Sequence, residues 1–388
     1  MTIVVTEGSP PRRLAPLALI GLLTVGASFG WVRSGSAWAW LGVGLAAAGV
    51  ATGIGVGVRW LILDGIGLIA TAGLIALLGG LIVLVLAFGR LSDGRPARAK
   101  ILALLPASLV LVVFVWPLAA AISASYVPAT TLGESPVDLG LRAEEVEFRT
   151  ADGVAIAAWF VPSAESKTVI LRHGAGSTAS SVLPQAAVLS ANGYAVLVTN
   201  ARGHGISGGD AMDFGWFGDL DVTAALDYLS TRPDVDMQRV AVVGLSMGGE
   251  EALGAFGADD RIAAVIAEGA TARTWLDKQW LSDVYGVRGW AQIQIERLQQ
   301  GFTRLLSPAP NPRPLAESVQ SASPRPVLLI VGGDMPDEIH AAEFIAREAG
   351  EHVSTWVVPS ARHAQGFSTA PESWERTVVS FLDSAMGG

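Results

Sequence analysis

Apolar positions along this chain follow two rhythms. Before residue 130 they form long, nearly unbroken stretches, roughly Leu14–Trp31, Ala37–Val58, Leu61–Phe88 and Ile101–Tyr126. Each is near or above the ~20 apolar residues that a helix needs to cross the hydrocarbon core of a bilayer. In lipid such a stretch satisfies its backbone only as a helix. Glycine recurs through the second stretch (Gly42, Gly44, Gly49, Gly53, Gly55, Gly57). It would weaken a helix in water, but it lets two membrane helices approach backbone to backbone. Trp31, Trp38, Trp40 and Trp60 fall at the expected ends of the stretches, where indoles favour the membrane interface. Asp64 is the one acid inside a stretch. Its place near the start of the third, beside Trp60, predicts an interfacial rather than a mid-membrane carboxylate. The pattern predicts a transmembrane domain of about four spans over residues 1–130.

From about residue 141 the rhythm changes. EEVEFRT and VAIAAWFVP read as a hairpin turning at Asp152-Gly153. Short apolar runs follow: TVILRHG, YAVLVTN, VAVVGLS, IAAVIAEG, PVLLIVGG and STWVVP. Helix-length segments separate them, at Ala179–Ala191, Phe217–Thr231, Gly248–Ala258, Ile339–Ala349 and Trp374–Ser384. Continuous apolar strands alternating with helices predict a buried, mostly parallel sheet, an α/β fold over residues 144–388. In such a fold ligands bind beyond the carboxyl ends of the strands. The Pro-, Gly- and Thr-rich Val127–Gly140 marks the boundary, with residues 131–143 as the linker. Thr271–Pro314 interrupts the alternation.

Composition sharpens this division. Of 388 residues, 51% are apolar and 16% are charged. Residues 1–130 hold 8 Lys/Arg and 3 Asp/Glu, a net of +5; the remaining 18 Lys/Arg and 32 Asp/Glu give −14, summing to the chain's −9. A slightly basic apolar third joined to an acidic remainder reads as a membrane segment plus a water-facing domain. An acidic domain without basic clusters argues against a nucleic-acid partner. The chain has no cysteine, which excludes disulfides, thiolate metal sites and a thiol nucleophile. With four spans, Arg12, Arg13 and Arg59 fall on one side of the membrane. Arg33, Arg90, Arg95, Arg98 and Lys100 fall on the other. By the positive-inside rule, five against three leans the C-terminal domain to the extracytoplasmic side.

The chemistry is expected just after the strands. Val240–Gly244 runs into Gly244-Leu245-Ser246-Met247-Gly248 and then a helix. This is G-x-S-x-G in the strand–turn–helix setting of a nucleophile elbow, with Ser246 pushed clear of the sheet. A serine hydroxyl needs a base. Of the five histidines, only His363 follows the last strand, where a loop would overhang Ser246. The acid that orients it should follow the strand Pro326–Val331, where Asp334, Asp337 and Glu338 stand in GGDMPDE. His204, on a Gly-rich turn, reads as structural. Glu250 and Glu251 read as acids favouring a helix N-terminus. Glu268, ending a strand, reads as a hydrogen-bonding brace or a substrate contact.

HGAG (173–176), NARGHGISGG (200–209), GLSMGG (244–249), GGDMPDE (332–338) and ARH (361–363) appear in the order serine, acid, histidine. With them the second part of the chain resembles the α/β-hydrolase superfamily, in particular bacterial membrane-anchored hydrolases of the dienelactone-hydrolase or S9-peptidase-like type. The resemblance implies an eight-stranded sheet whose second strand is antiparallel, with Thr271–Pro314 as a helical lid. It implies a triad of Ser246, His363 and an acid, with the usual layout favouring Asp334 over Glu338 and Asp337. It also implies an oxyanion hole of the Ala175 and Met247 amides, with His173 bracing its loop. Trp216 and Trp275 are candidate walls of a substrate pocket. The expected reaction is hydrolysis of a carboxylic ester, or of a thioester or amide, without metal or organic cofactor. The expected partners are a small-molecule or lipid-like ester and membrane lipid, in a bacterial cell membrane. Two alternatives stand beside it: a catalytically silent binding or scaffold protein of the same fold, and a peptidase with the same triad. Asn200 departs from the acid that relatives often carry there.

Overall fold

The computed structural model describes residues 36–126, 130–209 and 213–387. Internal packing divides the chain into two units. One holds residues up to 128 together with Gln294–Pro308; the other holds 129–293 and 309–388.

In the first unit, helix α1 (Ser36–Thr52) passes through a π-helical segment, Gly53–Val58, into α2 (Arg59–Asp64). After a break at Gly65–Gly67 come α3 (Leu68–Leu91) and α4 (Ala97–Ser125). Two helical stretches among the described residues are long and apolar enough to cross a membrane. They are Trp40–Ile62 and Leu68–Leu91, with mean hydropathies of 1.8 and 2.7. The expected span Leu14–Trp31 lies outside the described residues. The fourth falls within α4, whose described apolar run is Val113–Ser125.

One expectation is corrected in this unit. Asp64 ends α2 instead of opening the next helix, because Gly65, at φ +80°, stops the helix there. Trp60 is buried within the unit, and its indole N–H donates to the Tyr126 carbonyl at 3.4 Å. The glycines do what close packing requires. A Cβ on Gly57 would lie 2.6 Å from the Gly73 carbonyl carbon, and one on Gly73 would lie 2.4 Å from Gly57 Cα. The backbones therefore touch where the π-helical segment crosses α3. Phe302 meets Phe114 edge-on within this unit, with ring centroids 5.2 Å apart.

The second unit is built on one sheet of eight strands. They are β1 (Glu144–Arg149), β2 (Ala155–Val161), β3 (Thr168–Arg172), β4 (Ala195–Thr199), β5 (Val240–Leu245), β6 (Ala264–Glu268), β7 (Val327–Gly332) and β8 (Val353–Val358). The order is β1-β2-β4-β3-β5-β6-β7-β8; β2 pairs antiparallel with both its neighbours, and the other pairs are parallel. Every residue of β3 to β7 is buried, as expected of strands covered by helices on both faces. One face packs Ile170, Leu197, Val242 and Val265 against helices α6 (Gly218–Ser230) and α7 (Met247–Phe256). The other packs Leu171, Val198, Val243 and Ile266 against α5 (Leu183–Ala191) and the C-terminal helix Pro371–Met386. Between β6 and β7 lie α8 (Trp280–Tyr285) and α9 (Val287–Leu306), in the segment expected to be a lid.

Candidate active site

The central strand β5 ends at Leu245 and α7 begins at Met247, so the whole reversal falls on Ser246. Its backbone is held at φ +53°, ψ −121°, a region costly for any residue with a Cβ. The Ser246 N–H donates to the Glu268 carbonyl at 2.7 Å, which pins the turn to β6. Glycine is forced on both sides. A Cβ on Gly244 would meet the Gly248 carbonyl oxygen at 2.1 Å, and one on Gly248 would meet the His173 oxygen at 2.6 Å. The pentapeptide is thus a packing requirement that leaves one side chain, the serine, projecting.

His363 stands on the loop after β8. Its Nε2 lies 2.8 Å from Ser246 Oγ, and its Nδ1 lies 2.6 Å from Glu338 Oε1. A carboxylate only accepts, so Nδ1 carries the proton and Nε2 is left as the acceptor for the serine hydroxyl. Glu338 is almost fully buried. It is the third residue of α11 (Pro336–Ala349; α10 is Leu315–Ser321), and its other oxygen accepts the Gly332 N–H at 3.0 Å. The His363 imidazole is pushed above the ordinary histidine range. The Glu338 hydrogen bond is the main cause, opposed by burial and helped by the negative charges of Glu338, Glu250 and Glu268.

Of the three candidate acids, Glu338 is the one within hydrogen-bond reach of His363. The layout that favours Asp334 is corrected here. The turn closed by Met335 N–H on the Gly332 carbonyl leaves Asp334 exposed, while Glu338 comes round one helical turn later, facing inward. Asp337 is exposed and accepts the Tyr285 hydroxyl from the end of α8 at 2.7 Å.

The loop after β3 lies over the serine. A Cβ on Gly174 would be 3.2 Å from Ser246 Cβ and 3.8 Å from its Oγ. Ala175 is the next residue. Met247 is the first residue of α7, where backbone N–H groups have no partner in the helix. Trp216 is buried, and its indole N–H donates to the Arg273 carbonyl at 3.1 Å, so it braces the segment after β6 and is not an open pocket wall. Trp275 is half-buried against Trp280, Leu281 and Ile293 in the segment between β6 and β7.

Sequence reading missed the polar work under the site. Arg172, at the end of β3, is buried and holds Glu251, with a further hydrogen bond to Thr199 at 3.0 Å. Arg202 bonds Asp221 at 2.6 Å and Asp152 at 2.8 Å. Glu251 is therefore an ion-pair partner, corrected from the helix-end acid expected of it. Glu250 accepts the Thr271 and Ala272 N–H groups at 3.1 and 3.0 Å, which ties α7 to the segment after β6. Burial raises the Glu250 carboxyl above its usual range. Glu268 acts as a brace, accepting the Gly366 N–H at 2.7 Å and the Trp374 indole N–H at 3.0 Å. The one available signal was a charged residue, Arg172 or Glu268, closing an otherwise apolar strand. Among the described residues no group of three or more His, Cys, Asp or Glu side chains gathers as a metal site would.

Comparison with known proteins agrees with this geometry. The sequence profile of the family described as serine aminopeptidase, S33, matches residues 163–310. The uncharacterized protein YfhR of Escherichia coli K12 is 28% identical over 254 residues, which cover 63% of this chain and 82% of that protein. The alpha/beta hydrolase domain-containing protein WAV2 of Arabidopsis thaliana is 32% identical over 141 residues, covering 34% of this chain and 44% of that one. Among solved structures, the Pyrococcus furiosus esterase Pf2001 superposes with a TM-score of 0.54 at 26% identity, over 68% of this chain and 99% of the esterase. Strand order, elbow and these likenesses agree: the second unit has the α/β-hydrolase fold, and the chain is a hydrolase similar to esterases of that fold.

Proposed function

We propose that this protein is a membrane-anchored serine hydrolase that cleaves a carboxylic ester through Ser246, His363 and Glu338. The observation that carries the reading is the unbroken relay from Glu338 to His363 Nδ1 and from Nε2 to Ser246 Oγ, at 2.6 and 2.8 Å. As Ser246 Oγ attacks the ester carbonyl, His363 Nε2 takes its proton. Glu338 holds the imidazole in the tautomer that can do so and stabilises the cation that forms. The Ala175 and Met247 amides donate to the oxygen as it becomes an oxyanion. His363 returns the proton to the leaving alkoxide, then activates water to release the acyl group.

The anchor reading is supported by two apolar helical stretches of spanning length. A substrate with an apolar acyl chain follows from that location, and an esterase among the similar structures supports the ester bond. Amide cleavage is the second reading, favoured by the S33 aminopeptidase profile.

The test is fluorophosphonate labelling of the detergent-purified chain, wild type beside Ser246→Ala, with turnover of p-nitrophenyl esters of increasing chain length and of aminoacyl p-nitroanilides. Labelling and ester turnover should be present in the wild type and absent from the variant. A folded wild type that neither labels nor turns over ester would overturn the assignment. Anilide turnover exceeding ester turnover would establish the second reading. Release from membranes by alkaline carbonate, without detergent, would refute the anchor.

A further inference from the structure

Two buried histidines take no part in the relay. His173 and His204 sit in the loops after β3 and β4, both essentially without solvent exposure, with ring centroids 5.2 Å apart. Each reaches into the other's loop. His173 Nε2 lies 2.9 Å from the Ala201 N–H, and His204 Nε2 lies 3.2 Å from the Gly176 N–H. The second nitrogens face carbonyls, Nδ1 of His173 at 2.8 Å from the Gly174 oxygen and Nδ1 of His204 at 2.9 Å from the Arg202 oxygen.

These partners decide where the protons are. A backbone N–H only donates, so both Nε2 atoms must present a lone pair. A carbonyl only accepts, so both Nδ1 atoms must carry hydrogen. Both rings are therefore neutral Nδ1–H tautomers, and a second proton on either ring would set N–H against N–H. Burial, helped by the neighbouring His204 and Arg172, pushes His173 down to about 3, which agrees with a neutral ring.

The consequence lies in what these bonds hold. A peptide unit is planar, with its C=O and N–H pointing in opposite directions. The Gly174 carbonyl and the Ala175 N–H belong to one such unit, so fixing that carbonyl fixes the direction of that N–H. The Ala175 carbonyl and the Gly176 N–H belong to the next unit, which His204 fixes. One imidazole therefore clamps each of the two peptides flanking Ala175, on a loop whose Gly174 lies against Ser246.

We propose that His173 and His204 are a reciprocal pair of positioning residues that hold the Ala175 N–H aimed at the oxyanion. The inference rests on the serine-hydrolase reading for what is being aimed at, but not for the clamp itself. A clamp of this kind acts on the transition state more than on substrate binding, because the oxyanion exists only after attack.

The test compares His204→Leu, which fills the space without an acceptor, with His204→Gln, whose amide oxygen can take the Gly176 N–H. The readouts are kcat and KM for a p-nitrophenyl ester and the Ki of an arylboronic acid, whose tetrahedral serine adduct places an oxygen in the oxyanion position. His204→Leu should lower kcat by about 10- to 100-fold, less than the roughly 10²- to 10³-fold cost of losing an oxyanion donor outright, because the donor is misaimed and not removed. KM should change little, the boronate Ki should rise in parallel, and His204→Gln should recover most of the loss. A folded His204→Leu with kcat and Ki within twofold of wild type would overturn the proposal. So would a loss that glutamine does not repair. If the leucine variant does not fold, nitrogen-15 shifts of the wild-type imidazoles decide. Two Nδ1–H tautomers support the clamp, and an Nε2–H tautomer or a charged ring in either position refutes it. That measurement needs no turnover. Two Nδ1–H tautomers in a wild type inert to fluorophosphonate would sink the triad reading and leave the clamp standing.

Discussion

The two units of this chain sort their side chains in opposite ways. In the hydrolase unit the large apolar residues are inside, with Ile156, Phe160 and Leu197 fully buried, and buried charges are paired, as Arg172 is with Glu251, or held by N–H donors, as Glu268 is. In the N-terminal unit the buried positions are mostly small, among them Ala46, Ala51, Ala70, Ala76 and Ala87. Its large apolar residues point outward, with Ile62 75%, Leu78 60% and Val85 71% exposed. A protein in water cannot gain stability from that arrangement, because burial of apolar area is its main driving force. In lipid the tails are as apolar as leucine, and close backbone contact through small residues takes over. The difference supports the proposed two-solvent reading, in which lipid surrounds the first unit and water surrounds the unit that holds the candidate site.

The largest expected effect tests that site. Glu338→Gln keeps the shape of the relay but offers His363 Nδ1 an amide that can stabilise the wrong tautomer. It should lower kcat by about 10³- to 10⁴-fold with little change in KM, measured with a p-nitrophenyl ester. Next comes Arg172→Met. It strands Glu251, buried beside Asp221, which lies 3.7 Å from the same guanidinium. Leaving a buried charge without its partner should cost the hydrolase unit about 3–5 kcal/mol, read by chemical denaturation in detergent. Adding Glu251→Leu should restore much of the loss, since an apolar pair of similar volume is tolerated.

A third prediction sets one unit directly against the other. Gly73→Leu drives a side chain into the Gly57 backbone and should cost the N-terminal unit about 1–3 kcal/mol, with kcat unchanged. Leu78→Ala, on the exposed face of the same helix, should be nearly neutral in detergent. Leu197→Ala in the sheet should cost about 2–5 kcal/mol. If Leu78→Ala proved as costly as Leu197→Ala, the two-solvent account would fall.

Much of the hydrolase unit is legible in the sequence, because its strands are short continuous apolar runs and its helices fall between them. All eight strands and the serine elbow can be read that way, whereas the antiparallel second strand follows from the family resemblance. The helix ends of the N-terminal unit are less legible. Hydropathy averages over a window, whereas the break at Gly65–Gly67 is set by one glycine with positive φ. The acid beside His363 is hidden for a related reason. Asp334, Asp337 and Glu338 lie within five residues, and only the turn before Pro336 decides which one faces inward. The buried ion pairs are not legible at all, because Arg172 and Glu251 are 79 residues apart and nothing local announces their meeting.

The smallest expected effect is electrostatic and concerns the pH at which activity appears. The base must be unprotonated, so activity is absent while His363 carries a second proton and rises as pH passes its pKa. That pKa is raised, first by the Glu338 hydrogen bond and then by the nearby carboxylates, against the opposing effect of burial. The acid limb of kcat/KM should therefore lie above the ordinary histidine value of about 6.5. Glu268 offers a way to divide the causes. Burial raises the Glu268 carboxyl above its usual range, while each of its oxygens accepts one N–H, from Gly366 and from the Trp374 indole, which opposes that rise and favours the charged carboxylate. Glu268→Gln keeps its size and removes that charge, so the limb should move to lower pH. Gly73→Leu, in the other unit, should leave the limb where it is. A limb unmoved by Glu268→Gln would mean that Glu268 is neutral in the resting enzyme, and the elevation of His363 would then belong to Glu338 and Glu250. A limb moved by Gly73→Leu would mean that the packing of the N-terminal helices reaches the relay, and the chemistry would no longer be confined to one unit.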